Sequence, residues 1–244
     1  MYAKLALASG LLVALPAVAL NPSCAPGGNF DLSKWSLQLP SGSQGSPTTI
    51  SGSKLSGCSG YTDQYFYTDG STGQLVMKVP GSPASSGCVT TSGSSHCRTE
   101  FRESSPSSWS SSSGTHTLTV TMSVPKPDNG GHGTAIGQIF GSDAGKPLAE
   151  MYYSQSGEIT IGVNQTPAGG SEVVSKVGQV AVGSSFTYIL AFVNGKMSVT
   201  INGVKTSLST YSWGTPNCYF KSGDYNQGSV PSEVHISSIS VQHS

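Results

Sequence analysis

Apolar and polar residues alternate along most of this chain. In Thr117-Leu118-Thr119-Val120-Thr121-Met122-Ser123-Val124 every second residue is apolar, the period of a strand with one buried face, and a helical period of 3.6 is almost absent. The same patterning marks Leu75–Val79, Arg98–Glu103, Thr134–Phe140, Leu148–Tyr153, Glu158–Val163, Glu172–Val177, Tyr219–Gln227 and Val234–Val241 as strands. Phe186–Val193, Lys196–Ile201 and Val204–Leu208 are separated by Asn194-Gly195 and Asn202-Gly203. Both dipeptides accept the positive φ of a type I′ turn, so the three segments form an antiparallel meander. With 31 glycines and 14 prolines supplying turns, the pattern predicts an all-β chain of two stacked antiparallel sheets. Ser104 to Ser113 holds eight serines around Pro106 and Trp109. It reads as a loop over the sheet, because strands of one pattern continue on both sides and a boundary there would split a sheet.

Composition narrows the setting. Lys4, the apolar run Leu5 to Leu15 and the small-residue exit Ala17-Val18-Ala19 have the layout of a signal peptide over residues 1–19, too short to span a bilayer. Residues 20–244 are expected to form one secreted domain, monomeric and without a membrane segment. Only 10% of residues are charged and the net charge is zero, so nothing in the bulk attracts nucleic acid or a membrane surface. A site for a polyanion has to be local. Five cysteines in an exported chain predict two disulfides and one thiol, with Cys88–Cys97, which bracket a short polar loop, as the first pair to expect. No ligand spacing for a metal occurs, and no cofactor is expected. Asn164-Gln165-Thr166 is a glycosylation sequon followed by Pro167.

The chain has two arginines, Arg98 and Arg102, and both lie in Arg98-Thr99-Glu100-Phe101-Arg102-Glu103. On a strand, Arg98, Glu100 and Arg102 project from one face while Thr99 and Phe101 project from the other. Glu100 is then placed to fix the two guanidinium forks and leave donors for a ligand carboxylate. In Tyr219-Phe220-Lys221-Ser222-Gly223-Asp224-Tyr225-Asn226-Gln227 the same rule puts Tyr219, Lys221, Tyr225 and Gln227 on one face, with Gly223 leaving room for close approach to the backbone. Gln138 and Phe140 share a face in Gly137-Gln138-Ile139-Phe140-Gly141.

These three blocks, in this order, resemble the signature segments of the alginate lyases of polysaccharide lyase family 7, and Phe30 to Pro40 resembles the opening of that family's mature domain. The resemblance implies a β-jelly roll whose concave sheet forms a groove for an acidic polysaccharide, cleaved by β-elimination without a cofactor. It implies that Arg98 or Arg102 neutralises the uronate carboxylate together with Gln138, and that Tyr225 moves protons with support from Lys221. Glu100, Tyr219, Gln227, Phe140 and His132 are expected to bind substrate. Removing the C5 proton moves charge onto the carboxylate, so fixed donors aimed there lower the barrier. A tyrosine, ordinarily near pKa ~10, needs nearby cations to act as a base, and Arg98, Arg102 and Lys221 are candidates.

One position departs from the family pattern: Phe140 stands where most members carry histidine. His132, in a glycine-rich turn, and His96, beside Cys97, are possible replacements. In guluronate the C5 proton and O4 lie on opposite faces and call for two proton carriers, whereas in mannuronate or glucuronate both lie on one face and Tyr225 alone suffices. The expectation is therefore a mannuronate-leaning alginate lyase, with a glucuronan lyase of the same mechanism as alternative and a non-catalytic uronan-binding jelly roll as a second. A glycoside hydrolase would need paired carboxylates, for which Glu100 and Glu150 are the only attractive pair.

Overall fold

The computed structural model describes residues 19–244, so the leader expected over 1–19 lies, except for residue 19, outside the described residues. The chain runs through β1 (Trp35–Ser43), β2 (Ser46–Ile50), β3 (Phe66–Thr68), β4 (Leu75–Val79), β5 (Arg98–Glu103), β6 (Trp109–Ser110), β7 (Thr115–Lys126) and β8 (Thr134–Gly141). It continues through β9 (Lys146–Tyr153), β10 (Glu158–Asn164), β11 (Glu172–Gln179), β12 (Phe186–Val193), β13 (Lys196–Ile201), β14 (Val204–Leu208), β15 (Asn217–Tyr225) and β16 (Ser232–His243). Two antiparallel sheets pack face to face as a jelly roll. One is ordered β11-β10-β9-β8-β15-β5-β1-β2, with β6 pairing onto β15, and the other β14-β13-β12-β7-β16-β4-β3. Among the described residues no helix is long and apolar enough to cross a membrane.

β7 shows why alternation predicted strands: His116, Leu118, Val120, Met122 and Val124 are buried while the residues between them are partly exposed. The turns closing β12-β13-β14 have φ of 46° and 77° at Asn194-Gly195 and 47° and 86° at Asn202-Gly203, as a type I′ turn requires. β8 and β15 differ, because nearly every residue in them is buried on both faces. One face meets the core and the other lies under a cleft.

Aromatic pairs tie the sheets together. Phe66 of β3 meets Phe101 of β5 edge-on at 5.7 Å, and Tyr153 of β9 stacks on Phe186 of β12 at 5.7 Å. Tyr188 of β12 reaches across the core, donating to the Ile136 carbonyl at 2.9 Å and accepting from Ser222 Oγ at 2.8 Å. A Cβ on Gly137 would lie 2.9 Å from that tyrosine oxygen, so the glycine lets the far sheet brace the cleft floor from behind.

Cys88 pairs with Cys97 as expected, Cys24 pairs with Cys58, and Cys218 remains a buried free thiol. Burial pushes the Cys218 thiol up to about 12, which leaves almost no thiolate at neutral pH. An alkylating reagent at pH 8 is therefore expected to leave Cys218 unmodified in the native protein and to label one thiol per chain once denaturant is added; mass spectrometry distinguishes the two.

Two expectations change. Asn164 is only 7% exposed and its side-chain nitrogen donates to the Pro147 carbonyl, so the sequon's acceptor nitrogen faces the protein and not solvent. Gly223 was read as an opening for a ligand, but a Cβ there would fall 2.6 Å from the Thr99 carbonyl oxygen and 2.8 Å from Met77 Sδ at φ +148°. Glycine is required at this point by the close approach of β5 beside it and of β4 in the facing sheet. The serine-rich stretch is a loop carrying β6, anchored by buried Trp109, whose indole nitrogen donates to Glu103.

Candidate active site

Strand register assembles the site. On β15, Tyr225 lies opposite Arg98 of β5, and Lys221 lies between Arg102 of β5 and Gln138 of β8, which in turn faces Glu150 of β9. Cross-strand neighbours on one face stand close enough to interact directly. Together they floor a cleft of about 430 Å³ lined by Arg98, Glu100, Arg102, Gln138, Phe140, Glu150, Tyr219, Lys221 and Tyr225, with Gln38, Ser94 and Lys146 at its edges. Four cations (Arg98, Arg102, Lys146, Lys221) face one firmly ionised carboxylate, Glu100, so the site is locally positive in a chain of zero net charge.

Glu100 is the hub. Only 3% exposed, it accepts from Arg98 Nη1 at 3.1 Å and Lys221 Nζ at 3.0 Å through Oε2, and from the Gln138 amide nitrogen through Oε1. Burial alone would raise its pKa, but the opposed charges of Lys221 and Arg98 outweigh that and hold it below the usual glutamate value. A carboxylate only accepts, so it fixes the Gln138 amide with nitrogen towards Glu100 and one N–H left over. Arg102 is not part of this hub. It is exposed and lies with its guanidinium 4.3 Å from the Tyr219 ring centre, free to meet a ligand.

Aromatic rings flank the two cations of the hub as well. Arg98 stacks on Tyr225 at 3.6 Å, Lys221 sits 4.7 Å from the Phe140 ring centre, and Phe140 stacks on Tyr219 at 5.1 Å. Of the three expected partners for the Tyr225 phenol, then, only Arg98 adjoins it. Burial raises the Tyr225 pKa, while the Arg98 charge and a hydrogen bond with Ser94 work in the opposite direction. Ser94 Oγ lies 3.0 Å from both Tyr225 Oη and Arg98 Nη2.

Gln227 and His132 fall outside the cleft. β15 ends at Tyr225, because the buried carboxylate of Asp128 accepts from Gln227 N at 2.7 Å and Gly130 N at 2.7 Å and draws the chain away. The Gln227 side chain folds back to the Tyr225 carbonyl. His132 is exposed, its ring 5.5 Å from that of Tyr152. His96 stands edge-on to Tyr225 at 6.1 Å, and burial lowers its pKa.

Sequence reading missed Gln38, Ser94 and Lys146, and gave Glu150 no place in a lyase site. Gln38 had a signal: Trp35-Ser36-Leu37-Gln38-Leu39 alternates and sets Gln38 on the polar face opposite Glu100. Glu150 is half-buried, and burial, reinforced by Glu172 and Glu100, pushes its carboxyl up to about 7 against the pull of Lys221 and Arg98. Glu100 and Glu150 do not form a hydrolytic pair, since both oxygens of Glu100 are taken by protein donors.

Comparison with known proteins agrees with this geometry. The family model described as alginate lyase matches residues 30–243. A curated alginate lyase from Klebsiella pneumoniae is 27% identical over 90% of this chain and 89% of its own length. The crystal structure of a variant of the family 7 alginate lyase A1-II′ in complex with product superposes with a TM-score of 0.77 at 32% identity, covering 91% of this chain and 100% of that one. An alginate lyase structure from Corynebacterium sp. gives a TM-score of 0.74 at 24% identity, over 91% of this chain and 100% of its own.

Proposed function

This chain belongs to the alginate lyases of polysaccharide lyase family 7 and cleaves alginate, and we infer that it does so by β-elimination in the Glu100-centred cleft with a leaning towards mannuronate. The observation that carries the reading is the convergence of the Tyr225 hydroxyl, the oriented Gln138 amide and an excess of positive charge in one cleft. Gln138 and an arginine neutralise the uronate carboxylate and stabilise the enolate formed as the C5 proton leaves. Tyr225 takes that proton. The C4–O4 bond then breaks, the C4–C5 double bond forms, and the tyrosine returns a proton to O4. Phe140 supplies no second carrier, so one residue serves both steps, which suits mannuronate and glucuronate, whose C5 proton and O4 share a face. The leader-like pattern of residues 1–19, two disulfides and a cleft lined by one chain support the reading of a secreted, monomeric, single-domain enzyme.

The test is absorbance of the unsaturated product on polymannuronate, polyguluronate and glucuronan. Faster cleavage of polymannuronate than of polyguluronate is expected. Equal rates on both overturn the preference, and glucuronan as the fastest of the three reassigns the substrate.

Glu150 adds a pH dependence. Below about pH 7 its carboxyl is neutral; as pH rises through that value it ionises and places a negative charge where a polyanion must bind. KM for the polymer is expected to rise several-fold between about pH 6 and 8, and Glu150→Gln to flatten that rise. An identical KM profile in the variant contradicts the assignment.

A further inference from the structure

We propose that Ser94 is a positioning residue for Tyr225, fixing the direction of its proton and holding its phenolate through a hydrogen bond backed by Arg98. The proposal rests on the reading of Tyr225 as the proton carrier. A serine hydroxyl has one proton and two lone pairs. Ser94 Oγ receives Arg98 Nη2–H at 3.0 Å and the His96 backbone N–H at 3.1 Å, so both lone pairs are occupied. Its own proton has two acceptors within reach, Tyr225 Oη at 3.0 Å and the His96 carbonyl at 3.2 Å. Donation by Tyr225 to Ser94 would need a third lone pair. The tyrosine proton is therefore turned away from Ser94, and Tyr225 borders the open cleft.

This ordering serves both halves of the elimination. When Tyr225 is neutral its proton points at the space O4 will occupy. When it is the phenolate, its charge draws the Ser94 proton away from the His96 carbonyl, and Arg98, stacked on the ring at 3.6 Å and bonded to the same serine, stabilises the pair twice. Proton count is conserved, since Tyr225 gains the C5 proton and loses it to O4 while Ser94 keeps its own.

The loop that carries Ser94 is held for the purpose. Cys88–Cys97 closes it, and Cys97 directly precedes Arg98, so the bridge tethers the loop to the start of β5. The Cys97 carbonyl also accepts from Asn226 N, next to Tyr225, at 3.1 Å. The serine, arginine and tyrosine are thereby fixed to one covalent anchor.

The experiment is a pH–rate series on polymannuronate with wild type, Ser94→Ala, Ser94→Thr and Tyr225→Phe. Ser94→Ala is expected to lower kcat roughly 10- to 100-fold, the range for a lost hydrogen bond to a charged group, with KM nearly unchanged. The pH limb governed by Tyr225 should move upward by about one unit. Ser94→Thr keeps the hydroxyl and is expected to restore most of the rate and the limb. With Tyr225→Phe inactive, a Ser94→Ala enzyme of wild-type rate and profile overturns this proposal alone, as does a threonine variant no better than alanine. An active Tyr225→Phe overturns the reading of Tyr225 and this proposal with it.

Discussion

Replacing Tyr225 with phenylalanine is expected to lower kcat on polymannuronate by about 10³-fold or more, within the range associated with a lost general acid–base, while KM stays close to wild type. The change removes one oxygen. The ring remains under the Arg98 guanidinium at 3.6 Å, so the cleft wall and its charge stay in place, and the variant should melt with the wild type. The effect falls on kcat because the hydroxyl is needed only as protons move. Product absorbance under saturating polymer measures it. A variant within tenfold of wild type would show that another group carries the proton, with Glu150 the first to test.

The second large effect is on stability. Glu100→Ala is expected to cost ~3–5 kcal/mol, the penalty for removing one partner from a buried charge cluster. Arg98 and Lys221, 7% exposed each, would be left facing one another without their shared carboxylate, and the Gln138 amide would lose the contact that orients it. Activity should fall with stability. Lys221→Met added to Glu100→Ala removes one of the two stranded charges and is expected to recover part of the loss. Denaturant unfolding of the wild type and both variants is the measurement, and a Glu100→Ala protein within 1 kcal/mol of wild type would contradict the hub role.

Much of this was legible in the sequence because alternation is a local property. The meander from Phe186 to Leu208 follows from its Asn-Gly dipeptides, and the shared face of Arg98, Glu100 and Arg102 from a period of two. What alternation does not carry is where a strand stops. Extending it past Tyr225 placed Gln227 in the cleft, whereas Asp128, distant in sequence, captures that backbone. The edge strand β2, Ser-Pro-Thr-Thr-Ile, has one buried apolar residue and three-residue β3 is too short for a period, so neither stood out. Which partner each cation takes was equally hidden. Arg102 and Lys221 were both candidates to support Tyr225, yet cross-strand register sends the first to Tyr219 and the second to Glu100 and Phe140, leaving Arg98 alone beside the phenol. Ser94 sits in a polar loop with no pattern of its own, and the disulfide together with the Arg98 guanidinium, far from any local period, holds it at the cleft. The raised pKa of Glu150 depends on desolvation and then on Glu172 from β11, two strands away, neither of which a local window records.

The most direct test of the site is a crystal structure of Tyr225→Phe with a mannuronate tetrasaccharide. The cleft between β5, β8 and β15 is expected to hold the sugar, with one uronate carboxylate within hydrogen-bond reach of the Gln138 amide and an arginine, and with C5 and O4 of that unit both facing position 225. An oligosaccharide seated on the opposite sheet, or lying in the cleft with every carboxylate turned away from Gln138, Arg98 and Arg102, would contradict it.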